Sequence, residues 1–190
     1  ILQRIKHHLI QSKSIHDYFN ASMYEVEVTG LLDELFRKFD KVIMTGGSGL
    51  YINAVKYGID DLPQVDQDLR KQLHHRIEKE GLESLRKELK ILDPETYMKI
   101  DLKNPKRIQK ALEICLLTGK PYSVFLKNRK KERSFRIKTI ILNTNREILF
   151  DRINKRVYKM IENGLEEELR RLYPFRSSNA LKTVVYKEMF

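Results

Sequence analysis

An α/β class with a helical insertion is predicted by three observations. A short apolar run closes on a glycine turn and a helical pattern at residues 42–55, helical periodicity runs from Leu62 to Thr118, and β-branched character returns at residues 137–142. Strand, glycine turn and helix form the unit from which α/β cores are built, whereas the long helical stretch reads as a small bundle set into that core. The expected division is 1–61 for the first part of the α/β core, 62–127 for the helical insertion and 128–190 for the second part of the core.

Each element has its own signal. Val26, Val28, Leu31, Leu32, Leu35 and Phe36 recur at roughly helical spacing, and Val42, Ile43 and Met44 follow as a buried strand bounded by Gly46 and Gly47. Leu50, Tyr51, Ala54 and Val55 then resume a helical pattern. Asp66 is placed to cap a helix carrying Leu69, Leu73 and Ile77, and Gly81 ends it. Leu82, Leu85 and Leu89 form a second helix of the insertion, and Asp93-Pro94 opens a third around Tyr97. A fourth starts at Asn104-Pro105, buries Ile108, Ala111, Leu112 and Cys115, and stops at Gly119. Residues 121–136 lack periodicity and read as a loop or hairpin. The run IKTIIL at 137–142 predicts a strand. After it Ile148, Leu149, Ile153, Val157, Met160 and Ile161 mark a long helix that breaks at Asn163-Gly164, and Leu165, Leu169 and Leu172 continue beyond the break.

Charge is distributed unevenly. The formal net charge is +11, and between Lys103 and Lys138 twelve Lys/Arg face only Glu113 and Glu132, so +10 sits in that stretch. Such a concentration on an otherwise ordinary composition suits a protein that holds a polyanion, nucleic acid first among them. No run approaches the length of a membrane span and no secretory signal is visible, so no membrane is expected and the cytoplasm is the expected compartment. Cys115 is the single cysteine, inside ALEICLL, and reads as a buried hydrophobe. The chain opens on ILQRIK and stops at YKEMF within an amphipathic element, and so reads as an internal piece of a longer protein.

Few residues suggest chemistry. The segment TGGSGLY puts backbone N–H groups and the Ser48 hydroxyl where a strand would hand over to a helix, a place that suits anions, though a glycine turn there is also plain geometry. It carries no lysine and is no Walker A loop, a pattern found nowhere in the chain. Lys106, Arg107 and Lys110 share one flank of the fourth insertion helix, opposite its apolar side. An ordinary solvated face would mix in acids at i, i+4, and here Glu113 stands alone. Arg70 is a candidate for the same surface. His7, His8, His16, His74 and His75 have no metal-site spacing, no metal ligand is assigned, and no nucleophile–base pair is evident.

Seven blocks then fall in order: KHHLI, TGGSGLYINAV, GIDDLPQVDQDLR, LDPETY, NPKRIQKALEICLLTGKP, NREILFDRINKRVYKMIENGLEEEL and TVVYKEMF. Together they resemble the tRNA dimethylallyltransferase family across nearly the whole chain. The resemblance implies a P-loop-kinase-like core with a parallel sheet and a helical insertion that grips the tRNA anticodon stem-loop. It implies transfer of a dimethylallyl group from dimethylallyl diphosphate to N6 of the adenosine 3′ of the anticodon, with Mg²⁺, by a monomer. By the same resemblance Ser48 supports the reacting centre and touches tRNA, while Arg70, Lys106, Arg107, Ile108, Gln109 and Lys110 contact tRNA. Lys187 stands where many members place a diphosphate-binding Arg, and Lys keeps the charge but loses the bidentate fork. Val185 replaces the family's Gly before Tyr186, and a β-branched residue resists positive φ. The family's catalytic Asp and Walker-type loop belong to segments absent from this sequence, so residues 1–190 alone are expected to be inactive.

Two other readings stand beside the enzyme. A non-catalytic RNA-binding module of the same fold would keep the basic insertion without turnover. A small-molecule kinase has the glycine turn in its favour and the basic cluster against it.

Overall fold

The structure, a computed structural model, describes residues 5–64, 66–127 and 130–190. Nine α-helices occur among them: α1 (Ala21–Phe36), α2 (Gly49–Tyr57), α3 (Gln67–Glu80), α4 (Leu82–Leu92), α5 (Pro94–Lys99), α6 (Pro105–Thr118), α7 (Arg146–Glu162), α8 (Leu165–Leu172) and α9 (Tyr186–Met189). Short 3₁₀ turns lie at Tyr122–Phe125, Tyr173–Phe175 and Asn179–Leu181.

The expected parallel sheet, and with it the P-loop-kinase-like core, is not found: no strand occurs among the described residues. A strand exists through a ladder to a neighbour, and apolar, β-branched composition supplies only half of that condition. Neither predicted segment has a ladder partner. Ile43 is 90% exposed and Leu142 is 93% exposed, so both runs lie in irregular, open chain. The fold described here is helical.

Two compact units divide the chain. One is Asn20–Arg136; the other gathers the described residues before Asn20 with Ile137–Phe190. In the first, local signals start and stop the helices as the sequence predicts. Asn20 and Asp66 each accept two backbone N–H bonds as caps of α1 and α3, Asn104 accepts the Arg107 N–H, and Gly119 leaves α6 in the left-handed conformation. Leu73 of α3, Leu85 and Leu89 of α4, and Ile108, Ala111, Leu112 and Cys115 of α6 form the core, the three helices meeting along their apolar stripes. Burial pushes the Cys115 thiol up from its ordinary value, which suits an inert core residue.

Buried polar groups tie loops to this frame. Asp93 caps α5 by accepting the Thr96 N–H at 2.9 Å, and it also accepts the Ser123 N–H at 2.7 Å and the Ser123 hydroxyl at 3.0 Å. The 3₁₀ turn at Tyr122–Phe125 is thereby held on the bundle. Glu25, buried in α1, accepts the Ile59 N–H at 2.9 Å and Arg133 Nη2 at 2.7 Å, and Arg133 also donates to the carbonyls of Ala54 and Val55. The aperiodic loop is therefore pinned across the end of α2. Gly58, at φ +81°, is where Lys131 crosses, since a Cβ there would lie 2.5 Å from the Lys131 Cγ.

In the second unit α7 and α8 part at Gly164, φ +89°. Leu165 and Leu169 of α8 and Leu181 are buried, and the Tyr186 hydroxyl donates to Glu168 at 2.9 Å, joining α9 to α8. The apolar side of α7, including Ile148, Ile153 and Val157, is almost half exposed. No helix among the described residues is long and apolar enough to cross a membrane.

Candidate nucleic-acid interface

The basic stretch sorts into two kinds of cation. Arg133 ion-pairs with Glu25 at 2.7 Å, Lys131 with Asp61 at 3.0 Å and Glu25 at 3.4 Å, and Lys110 with Glu113 at 3.6 Å. Burial works against the Lys131 charge, but Asp61 and Glu25 outweigh it and raise its pKa. Lys103, Lys106, Arg107, Lys120, Lys127, Lys130, Arg136 and Lys138 are exposed and have no acidic partner within ion-pair distance among the described residues. Arg129 lies outside the described residues. The positive surface is thus smaller than the sequence count, and part of it gathers at the start of α6.

The predicted contact segment follows the helical repeat there. Lys106 and Arg107 point outward from the first turn, whereas Ile108 is 0% exposed and packs in the core, so it anchors the segment and is not available to touch RNA. The Gln109 side-chain amide donates to the Arg70 carbonyl at 2.9 Å, locking α6 against α3. Glu113, about one turn on, is fully buried. Its carboxylate accepts Arg70 Nε at 3.0 Å and Nη2 at 2.8 Å in the bidentate arrangement that guanidinium favours. Arg70 and Lys110 therefore flank one buried carboxylate, and the structure brings the two together with Gln109.

Glu113 is the residue that sequence reasoning missed. Its apolar neighbours in ALEICLL signal a buried register, but its partner Arg70 lies 43 residues away and spacing gives no hint of the pair.

Ser48 occupies the N-cap position of α2, is exposed, and makes no side-chain cap bond. A Cβ added at Gly46, Gly47 or Gly49 would meet nothing within 4 Å, so no close approach there calls for glycine. Lys187 is exposed on α9 and belongs to the other unit. It follows Val185, whose backbone sits at φ +82°, ψ −66°, the strained γ-turn region that a β-branched residue rarely adopts. No group of three His, Cys, Asp or Glu side chains able to hold a metal ion occurs among the described residues. Mg²⁺ keeps oxygen ligands, so these side chains alone do not make a site for it, and no step below runs through it.

A helical body that offers unpaired cations at a helix start, backed by a buried ion-pair network, defines a class: a protein whose face suits a polyanion. Comparison with known proteins narrows it. The family model described as IPP transferase matches residues 1–190. The chain is 50% identical to tRNA dimethylallyltransferase 1 of Phocaeicola vulgatus over 189 residues, covering 100% of this chain and 63% of the relative. It is also 50% identical to tRNA dimethylallyltransferase of Christiangramia forsetii, covering 97% of this chain and 61% of that one. The full-length tRNA isopentenylpyrophosphate transferase of Bacillus halodurans superposes with a TM-score of 0.56 at 32% identity, over 99% of this chain and 59% of that one. The corresponding transferase of Staphylococcus epidermidis gives 0.55 at 28%, over 98% and 62%. The chain belongs to the IPP transferase family and spans somewhat under two thirds of the length of these relatives.

Proposed function

We propose that residues 1–190 form the tRNA-gripping part of a tRNA dimethylallyltransferase, which moves a dimethylallyl group from dimethylallyl diphosphate to N6 of the adenosine 3′ of the anticodon. The observation that carries this reading is identity near 50%, sustained over the whole chain, to curated enzymes of that name. In the reaction the adenine N6 attacks the allylic carbon, the carbon–oxygen bond to diphosphate breaks, and a carboxylate from outside this sequence takes the amine proton. Lys106 and Arg107 hold the RNA backbone in this reading, Glu113 fixes Arg70 and Lys110 beside them, and the Ser48 hydroxyl lies near the reacting base. Lys187 supplies a cation to the departing diphosphate. The insertion at 62–127 is the arm that holds the anticodon stem-loop, and the enzyme works as a cytoplasmic monomer.

The test is mass spectrometry of an anticodon stem-loop incubated with dimethylallyl diphosphate and the protein extended to the length of its relatives. A mass gain of one dimethylallyl group on the target adenosine is expected, and none from residues 1–190 alone. RNA that binds the extended protein yet never gains the group would refute the transferase and favour the binding module.

A further inference from the structure

A cavity of about 510 Å³ opens between α5, the start of α6 and the 3₁₀ turn at Tyr122–Phe125. That volume falls within the ~300–1,000 Å³ of small-ligand pockets. Ile100, Tyr122 and Leu126 line it as half-buried apolar or aromatic side chains, while Lys106 and Arg107 line it as exposed cations without acidic partners among the described residues. Lys99 lies there too, but its ammonium is held by Glu95 at 2.7 Å and the pair adds no net charge. Lys110 shares Glu113 with Arg70, which leaves that trio with a net positive charge. Thr96, 5% exposed, also lines the cavity. Its hydroxyl has no hydrogen bond of good geometry, although it lies near enough to Asp93 to help lower that carboxyl's pKa. An apolar wall and a cationic edge meet in one concavity.

Such a combination is matched to a base carrying a phosphate. Duplex RNA keeps its bases stacked inside and presents phosphates on a convex surface, so it offers no free base to the apolar wall. An unpaired nucleotide turned out of its stack can place its base against the apolar wall and its phosphate against the cations. We propose that this cavity is a subsite for one unstacked nucleotide of the bound RNA, its base against Tyr122 and Leu126 and its phosphate on Lys106 and Arg107. The proposal rests on the RNA reading above. It adds that recognition depends on a loop nucleotide, beyond the charge of the backbone.

The experiment measures binding of the chain to a tRNA anticodon stem-loop in which each loop position is made abasic in turn. One position should weaken binding about tenfold, the scale of a single stacked base. Leu126→Trp, which fills the recess without changing charge, should weaken the intact stem-loop by a similar factor, cancel the effect of the abasic position, and leave duplex affinity alone. A flat abasic scan overturns the proposal, and because the scan uses unaltered protein, poor folding of the variant cannot obscure it. Leu126→Trp that melts like the parent and binds the stem-loop equally well overturns it too. Displacement of nucleoside monophosphates by filling the recess, with a flat scan, would assign the cavity to free nucleotides and also overturn it. Failure of the RNA reading looks different: neither stem-loop nor duplex would bind, whatever the recess holds.

Discussion

Replacing Glu113 with Gln removes the negative charge that lies between two cations while keeping the side chain's size. The carboxylate is fully buried, Arg70 donates to both its oxygens at 3.0 and 2.8 Å, and the Lys110 ammonium lies 3.6 Å away. Breaking a wholly buried pair costs ~3–5 kcal/mol, whereas an exposed pair is worth ~0–1 kcal/mol. Here the acid is at 0% exposure but Arg70 and Lys110 keep 34% and 28% of theirs, so water screens the cationic ends. The expected loss is intermediate, about 2 kcal/mol. Urea unfolding of the parent, Glu113→Gln, Arg70→Met and the double variant reads it as a cycle, in which the double variant should lose clearly less than the sum of the singles. A coupling below about 0.5 kcal/mol, the level at which distant sites already add, would show that the pair does not anchor α3 to α6.

Three further outcomes are expected. Lys106→Ala with Arg107→Ala should weaken RNA binding and reduce the salt slope by about 0.7–0.9 for each phosphate that is no longer neutralised, and slopes equal to the parent's would mean that neither side chain meets the backbone. Burial alone would raise the Asp93 carboxyl, but the hydrogen bonds from Thr96 and Ser123 outweigh it and hold its pKa below the ordinary carboxylate value. Its stabilising contribution is therefore complete above an unfolded value of ~3.9 and is lost as pH falls further. Asp93→Asn should be less stable than the parent near neutrality, with the gap closing in acid melts; a constant gap would deny the linkage. Val185→Gly should stabilise the chain by about 1 kcal/mol, because relief of ~1–3 kcal/mol of backbone strain exceeds the ~0.5–1 kcal/mol entropy cost of glycine. A variant that melts earlier would show that the positive φ is not strained.

Legibility in the sequence followed the range of the physics. Caps and stops act within four residues, and so Asp66, Asp93-Pro94, Asn104-Pro105, Gly119 and Asn163-Gly164 each mark a boundary that the structure keeps. Strand pairing is non-local, and the apolar runs at 42–44 and 137–142 could announce only an extended preference, with no partner to satisfy it. Val26 shows the same limit within a helix: its spacing suggested the buried side of α1, yet it is 70% exposed while Glu25 beside it is buried. Glu25 is inside because Arg133, more than a hundred residues on, reaches it. At the candidate interface the flank made by Lys106, Arg107 and Lys110 was readable from the helical repeat. The carboxylate behind it and the recess beside it were not, since both depend on Arg70, Tyr122 and Leu126 arriving from other elements.

Helix electrostatics separates the cations that hold the fold from those free to bind. The N-terminal end of a helix dipole is positive and favours acids by ~0.3–1 kcal/mol each. The first turns of α3, α4, α5, α7 and α8 follow that rule with Asp68, Glu83, Glu95, Glu147 and Glu166–168. In α6 the first turn holds Lys106 and Arg107 and no acid, so each cation adds to the field it should oppose. Arg133 does the reverse, setting its charge on the carbonyls of Ala54 and Val55 near the C-terminal end of α2, where a cation is favoured. Fold stability accounts for Arg133 and argues against Lys106 and Arg107. A bound anion turns their unfavourable placement into a favourable one, since phosphate at that position meets the dipole and both side chains together.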